Sequence, residues 1–172
     1  MRRRDLLAGA MSLPFVLAMT REFGAASAVT DPAHPFEPGT VRRLARELAA
    51  RPWQAPKDTL SGALARLGYD GYRTIRYRPD RALWAADKLP FAVQFFHRGF
   101  LYKDRVEMYE VAGGQARRIA YAPDLFDLSQ VGKPADGDLG FAGFRLHAPM
   151  NRPDYFDEVC AFLGASYFRA IA

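Results

Sequence analysis

The feature that most restricts this chain is a change of hydrophobic period near residue 69. Before it, apolar residues recur at helical spacing; after it, they alternate with polar ones, as they do in half-buried strands. Residues 72–78 place Arg73, Ile75 and Tyr77 against Tyr72, Thr74, Arg76 and Arg78. Residues 91–97 (FAVQFFH) are aromatic and β-branched, and Gly99 breaks the run. Residues 100–111 predict one long strand or a strand pair. Gly113-Gly114 then predicts a hairpin, with residues 115–122 returning as its partner. Residues 124–140 are rich in Asp, Gly and Pro and read as loop. Residues 141–148 (FAGFRLHA) alternate again, with Phe141, Gly143, Arg145 and His147 on one face. The last stretch, 165–172, reads as a further strand. Strands joined by hairpins imply a mainly β fold of the sandwich kind, with a few short helices.

Three helices are expected around this framework. Thr40 can cap the first, with Val41, Leu44, Ala45 and Leu48 inward and Pro52 at its end. Asp58 or Thr59 begins the second, with Leu60, Ala63, Leu64 and Leu67 inward and Gly68 as a left-handed cap. The third covers residues 155–163, with Asp154 as its N-cap and Gly164 as its stop. Residues 29–39 carry Pro32, Pro35 and Pro38 and read as an extended linker. The final strand stays apolar to Ala172, which predicts that residues 40–172 are an incomplete sandwich belonging to something longer.

Residues 1–28 read as an export signal. Arg2, Arg3 and Arg4 form a basic head, residues 6–19 are an uncharged and mostly apolar run, and Ala26-Ser27-Ala28 offers a cleavage site. Arg3-Arg4-Asp5-Leu6-Leu7 also fits the twin-arginine form. The apolar run is short of the about 20 residues a spanning helix needs, so no membrane span is expected after cleavage. The chain of 172 residues has a formal charge of +5, and removing the leader takes away four arginines and two acids, leaving +3. That weak field, on an exported protein without lysine or arginine runs, argues against a nucleic-acid partner. Cys160 is the only cysteine, so stability must come from the core rather than from internal disulfides. Its place in the third expected helix makes it a small apolar packing residue.

Motifs for catalysis are sparse. The sequence has no G-x-S-x-G elbow, phosphate loop or dinucleotide fingerprint. His34, His97 and His147 lack metal-ligand spacing, so neither a metal nor a cofactor is expected. Asp124, Asp127, Asp136, Asp138, Asp154, Asp157 and Glu158 are the candidate carboxyls, but they suit turns and caps, and spacing singles out no acid–base pair. No catalytic residue is assigned. Gly140-Phe141-Ala142-Gly143 reads as small residues allowing close strand packing. Aromatics are more informative: two tryptophans, eight tyrosines and thirteen phenylalanines offer faces that can stack on sugar rings. Trp84, after the 78–81 turn, is the expected exposed platform. Arg76, Arg145 and Arg169 on expected strands are the candidate hydroxyl partners, because an arginine carried on a sheet pairs with an acid or binds a ligand.

Four segments in order carry a family resemblance: residues 69–80 (YDGYRTIRYRPD), 95–100 (FFHRGF), 138–147 (DLGFAGFRLH) and 162–170 (FLGASYFRA). Together they resemble the N-terminal part of the periplasmic glucan biosynthesis proteins G and D, and the twin-arginine leader resembles the D branch more. The resemblance implies a periplasmic protein of osmoregulated glucan synthesis, with a galactose-mutarotase-like sandwich and a cleft. It implies β-glucan as ligand and the membrane glucan synthase as a further partner. Family members are similar to hydrolases of β-1,2-glucan, with catalytic aspartates downstream of the matched portion. This chain is therefore expected to bind the glucan and to lack the acids that process it. The alternatives are a non-catalytic carbohydrate-binding or scaffold component, and a mutarotase-like or lyase-like enzyme on another sugar.

Overall fold

A computed structural model describes residues 31–56, 60, 62–132, 137–164 and 166–171. The export leader, the expected caps Asp58 and Thr59, and Asp136 lie outside the described residues. The architecture is mainly β, with antiparallel pairing throughout. A four-stranded sheet runs in the order β3 (Ala92–Phe96), β7 (Gly143–Arg152), β8 (Tyr155–Leu163), β9 (Tyr167–Ala170). A second sheet pairs β1 (His34–Pro35) and β4 (Tyr109–Ala112) on either side of β5 (Gln115–Arg118). A two-stranded ribbon joins β2 (Arg76–Tyr77) to β6 (Phe126–Asp127).

The hairpin expected at Gly113-Gly114 joins β4 and β5, and both glycines have positive φ (56° and 72°), as the mirror-image turn requires. The expected strands at 91–97, 141–148 and 165–172 appear as β3, β7 and β9. Residues expected to be extended before the first helix include β1, which pairs with β5.

Several expectations fail. Residues 155–163 form strand β8, not a helix, and Asp154 occupies the β7–β8 turn beside Arg152 rather than an N-cap. Phe156, Val159, Cys160 and Leu163 fit the helical period, while Val159, Ala161 and Leu163 fit that of a strand. As a strand, the segment pairs with β7 on one side and β9 on the other, which satisfies its backbone and buries Ala161 and Leu163. Cys160 accordingly stands on a strand, opposite Leu146. Residues 69–74 form α3 (Tyr69–Thr74) instead of continuing a strand. There Tyr72 N–H bonds to Gly68 O, Thr74 Oγ1 donates to Gly71 O, and the Tyr72 hydroxyl donates to the His97 carbonyl. Gly68 is extended (φ −76°) and caps the start of α3; it is not a left-handed stop. The long strand expected at 100–111 shrinks to β4, with bridges at Gly99–Tyr102 and Val106–Phe141.

Helix α1 (Thr40–Ala49) has the expected bounds, but Gly39 is its N-cap and none of its side chains is buried. Its apolar stripe of Val41, Leu44 and Leu48 is exposed among the described residues. In α2 (Gly62–Ala65) Leu64 is buried, as is Leu60 just before it, while Ala63 is exposed. No helix of the described residues is long and apolar enough to cross a membrane.

The core lies on one face of the four-stranded sheet. Phe95 stacks on Phe141 at 4.5 Å, and Tyr77, Tyr121 and Phe126 add edge and stacked contacts. His97 belongs to this core. Its Nδ1 lies 2.6 Å from the Arg98 carbonyl, which can only accept, so Nδ1 donates and Nε2 accepts from the Tyr121 hydroxyl at 2.9 Å. Burial pushes the His97 pKa down, with the Arg98 carbonyl bond opposing, and keeps the ring neutral. The aromatic row continues outward across the sheet as Phe144, Phe162 and Phe168, with ring centroids 5.0 and 5.1 Å apart.

The backbones of β7 and β8 approach very closely at Gly143, opposite Leu163, as small-residue packing predicts. A Cβ at Gly143 would lie 2.1 Å from the Phe162 carbonyl oxygen and 2.8 Å from Leu163 Cα. Both are backbone atoms of a central strand and cannot swing away. Gly143→Ala is therefore expected to destabilise the fold by about 2–3 kcal/mol, measured as a lower urea midpoint; an unchanged midpoint would show that the strands separate at little cost.

Candidate functional site

The face of the four-stranded sheet opposite the core carries polar groups. Register places Gln94, Arg145, Ala161 and Arg169 side by side across β3, β7, β8 and β9. Arg145 Nη2 donates to Gln94 Oε1 at 2.7 Å, and Nη1 lies 3.6 Å from Glu158 Oε2. Arg169 pairs with the other oxygen of Glu158. Glu158 reaches this row through a register shift between Leu146 and His147. Without that bulge Val159 would oppose His147; the extra residue brings the carboxylate there instead. Two guanidiniums thus share one carboxylate, and the row keeps a positive excess. The Arg145 guanidinium also lies 5.6 Å from the Phe96 ring centroid, and its Nε is buried with no partner.

Arg145 lines three neighbouring cavities. The first, about 850 Å³, is also lined by Trp84, Phe91, Gln94, His147 and Tyr155. The second, about 900 Å³, adds Arg76, Arg78, Asp124 and Asp127. A third of about 430 Å³ lies between Arg73, Arg76, Tyr72 and Phe96. Arg76 is exposed on β2, opposite Asp127 of β6.

Of the four residues singled out from the sequence, Trp84, Arg76 and Arg145 line these cavities. Arg169 stands on the edge strand outside all three and is joined to Arg145 through Glu158. Trp84 differs from the exposed platform expected of it. It has a positive φ of 69°, is half-buried against the core, and donates its indole N–H to Glu110 Oε1 at 2.8 Å. Glu110 on β4 holds the ring by its indole N–H, so Trp84 is a wall residue of the cavity rather than a free-standing surface.

Sequence reasoning missed Gln94 and His147. The alternation of 141–148 already placed His147 beside Arg145, and that was the available signal. His147 is 8% exposed and its Nδ1 has no hydrogen-bond partner. Burial and then the neighbouring Arg145 lower its pKa, with Glu158 acting the other way. Two carboxyls at the cavities, Asp154 and Asp127, are held in the charged form. The Arg152 guanidinium holds Asp154 below the usual range, and the Ser129 backbone N–H does the same for Asp127. A general acid acting on an acetal needs the opposite shift. Among the described residues no group of three or more His, Cys, Asp or Glu side chains is placed to hold a metal ion.

An antiparallel sheet with its core on one face and an arginine row beside open cavities on the other makes this a mainly β protein with one polar sheet face. Residues 36–172 match the family model described as periplasmic glucan biosynthesis protein, MdoG. The chain belongs to that family. It is 54% identical over 171 residues to glucans biosynthesis protein G of Rhodopseudomonas palustris, covering 99% of this chain and 34% of that protein. Identity to the G protein of Vibrio cholerae is 48% over 139 residues, covering 79% of this chain and 25% of the relative. Identity to glucans biosynthesis protein D 1 of Ralstonia nicotianae is 46% over 177 residues, covering 99% and 32%. A G protein and a D protein thus each align over 99% of the chain. The chain spans about a third of the length of these relatives.

Proposed function

We propose that the polar sheet face binds the β-glucan backbone of periplasmic glucan biosynthesis, within a galactose-mutarotase-like sandwich that functions in the periplasm. The observation that carries this reading is the convergence of three cavities on Arg145, with Arg76 and Trp84 in their walls. Sugar chains are long, neutral and amphipathic. They suit a groove with aromatic walls and planar polar groups, where guanidiniums donate paired hydrogen bonds to vicinal hydroxyls. The lowered carboxyls favour binding over bond cleavage by this chain's own residues. In this reading, processing of the glucan falls to acids outside these 172 residues.

Titration calorimetry with linear β-1,2-glucan tests the reading. Arg145→Ala is expected to weaken binding about tenfold or more, since a hydrogen bond from a charged group contributes about 1.5–3 kcal/mol. Glu158 keeps Arg169 as its partner in that variant, so the fold should survive. Equal affinity in parent and variant would remove the groove assignment.

A further inference from the structure

We propose that the cavity of about 850 Å³ bounded by β3, β7, the Trp84 turn and the β7–β8 hairpin is a subsite for a single neutral pyranose unit, with His147 binding one of its hydroxyls. This rests on the glucan-binding reading and assigns a place and a residue within it. The cavity is walled by Trp84, Phe91, Tyr155 and Phe156. Gln94, Arg145 and His147, together with Lys88 and Asp154, supply polar groups to its lining. A pyranose has the matching construction: apolar C–H faces that pack on aromatic rings, and an equatorial edge of hydroxyls that pair with planar polar groups.

His147 is the reason to place a ring here rather than only a passing chain. Buried polar groups in folded proteins are paired, and an exception calls for an explanation. The His147 ring is more than nine-tenths buried, lines this cavity, and leaves Nδ1 unpaired. Glu158 faces it across the strand pair but is committed to Arg145 and Arg169. A sugar hydroxyl both donates and accepts, so it can complete a neutral imidazole in either tautomer. Lining charges are mixed, with Lys88 and Arg145 against Asp154, which favours an uncharged occupant.

The test is NMR of the histidine imidazole nitrogens in the full chain, during titration with a β-linked glucose disaccharide and with linear β-1,2-glucan. The His147 signals should shift saturably with both ligands, while those of core His97 stay fixed. By calorimetry, His147→Leu should abolish binding of the disaccharide and weaken binding of the long glucan only a few-fold. His147→Gln, which keeps a planar hydrogen-bonding group, should restore part of it. If the glucan binds and the His147 signals do not move, the subsite is overturned and the groove reading stands. If neither ligand binds, both fall. Should His147→Leu fail to fold, the parent's imidazole titration decides the matter alone.

Discussion

Replacing Arg98 with leucine is expected to lower stability by about 3–5 kcal/mol, since it removes two hydrogen bonds of a buried charged group at about 1.5–3 kcal/mol each, and to lower Tm by about 10 °C or more. Arg98 is 1% exposed, beside the core residue His97. Its Nε donates to the Lys103 carbonyl at 2.8 Å and its Nη1 to the Leu139 carbonyl at 2.7 Å. One planar fork therefore ties the 99–103 turn to the segment leading into Phe141. Leucine fills part of the volume but takes the guanidinium donors away from both carbonyls. Because a domain's whole stability is only about 5–15 kcal/mol, poor soluble yield is part of the expected result. Arg98→Lys should fall in between, since an ammonium lacks the fork geometry. Thermal melts of the two variants within about 1 °C of the parent would show that the guanidinium is not holding these segments together.

Asp138→Asn should have the next largest effect, about 2–4 kcal/mol. Asp138 Oδ2 accepts from Arg105 at 2.9 Å and from Arg118, while Oδ1 accepts the backbone N–H groups of Tyr121 and Gly140, each at 3.1 Å. Arg118 also binds Asp31, and Arg105 Nε lies 2.6 Å from Glu107. The carboxylate thus joins the N-terminal segment, β5 and the loop before β7. An asparagine would direct an N–H₂ group toward one of the donors it replaces. Burial raises the Asp138 pKa, but the bonds from Arg118, Arg105 and the Tyr121 N–H outweigh it and bring it down to about 2 from 3.8. A depressed folded pKa stabilises above the unfolded value, and that contribution disappears as pH falls from about 4 through about 2. The buried neutral histidines act earlier. The unfolded chain takes protons near pH 6.5 that His97 and His147 resist when folded, so stability already declines below that pH. In acid titrations followed by circular dichroism, the parent should lose stability in both windows, and Asp138→Asn should lose clearly less in the lower one. A lower window of equal size in both proteins would assign it to other carboxylates.

Much of the β framework is legible in the sequence. Residues 91–97 are aromatic and β-branched, as suits a strand buried at successive positions, residues 141–148 alternate, and the Gly113-Gly114 turn needs positive φ at two successive positions. The same alternation set Arg145 and His147 on one face before any contact was visible. What the sequence did not reveal is long-range. Residues 155–163 carry apolar side chains that fit either period, and only pairing with both β7 and β9 decides for strand. The α3 segment looks alternating, yet Tyr72 is drawn into a turn by its bond to the His97 carbonyl. Asp138 looked like a turn former, because its two arginines come from positions 105 and 118. Glu158 joins the arginine row only through a bulge, and no composition rule signals a one-residue slip. Trp84 was expected as an exposed platform, and its half-buried place depends on a bond to Glu110 of another sheet.

Hydrogen exchange measured with and without linear β-1,2-glucan tests the central claim most directly, since it reports which sheet face meets the sugar. Slower exchange is expected in residues 92–96 and 143–149 and in the Trp84 turn, and Arg145→Ala should erase that protection at the same glucan concentration. Protection confined to the exposed aromatic side around Phe162 and Phe168, unchanged by Arg145→Ala, would contradict the account.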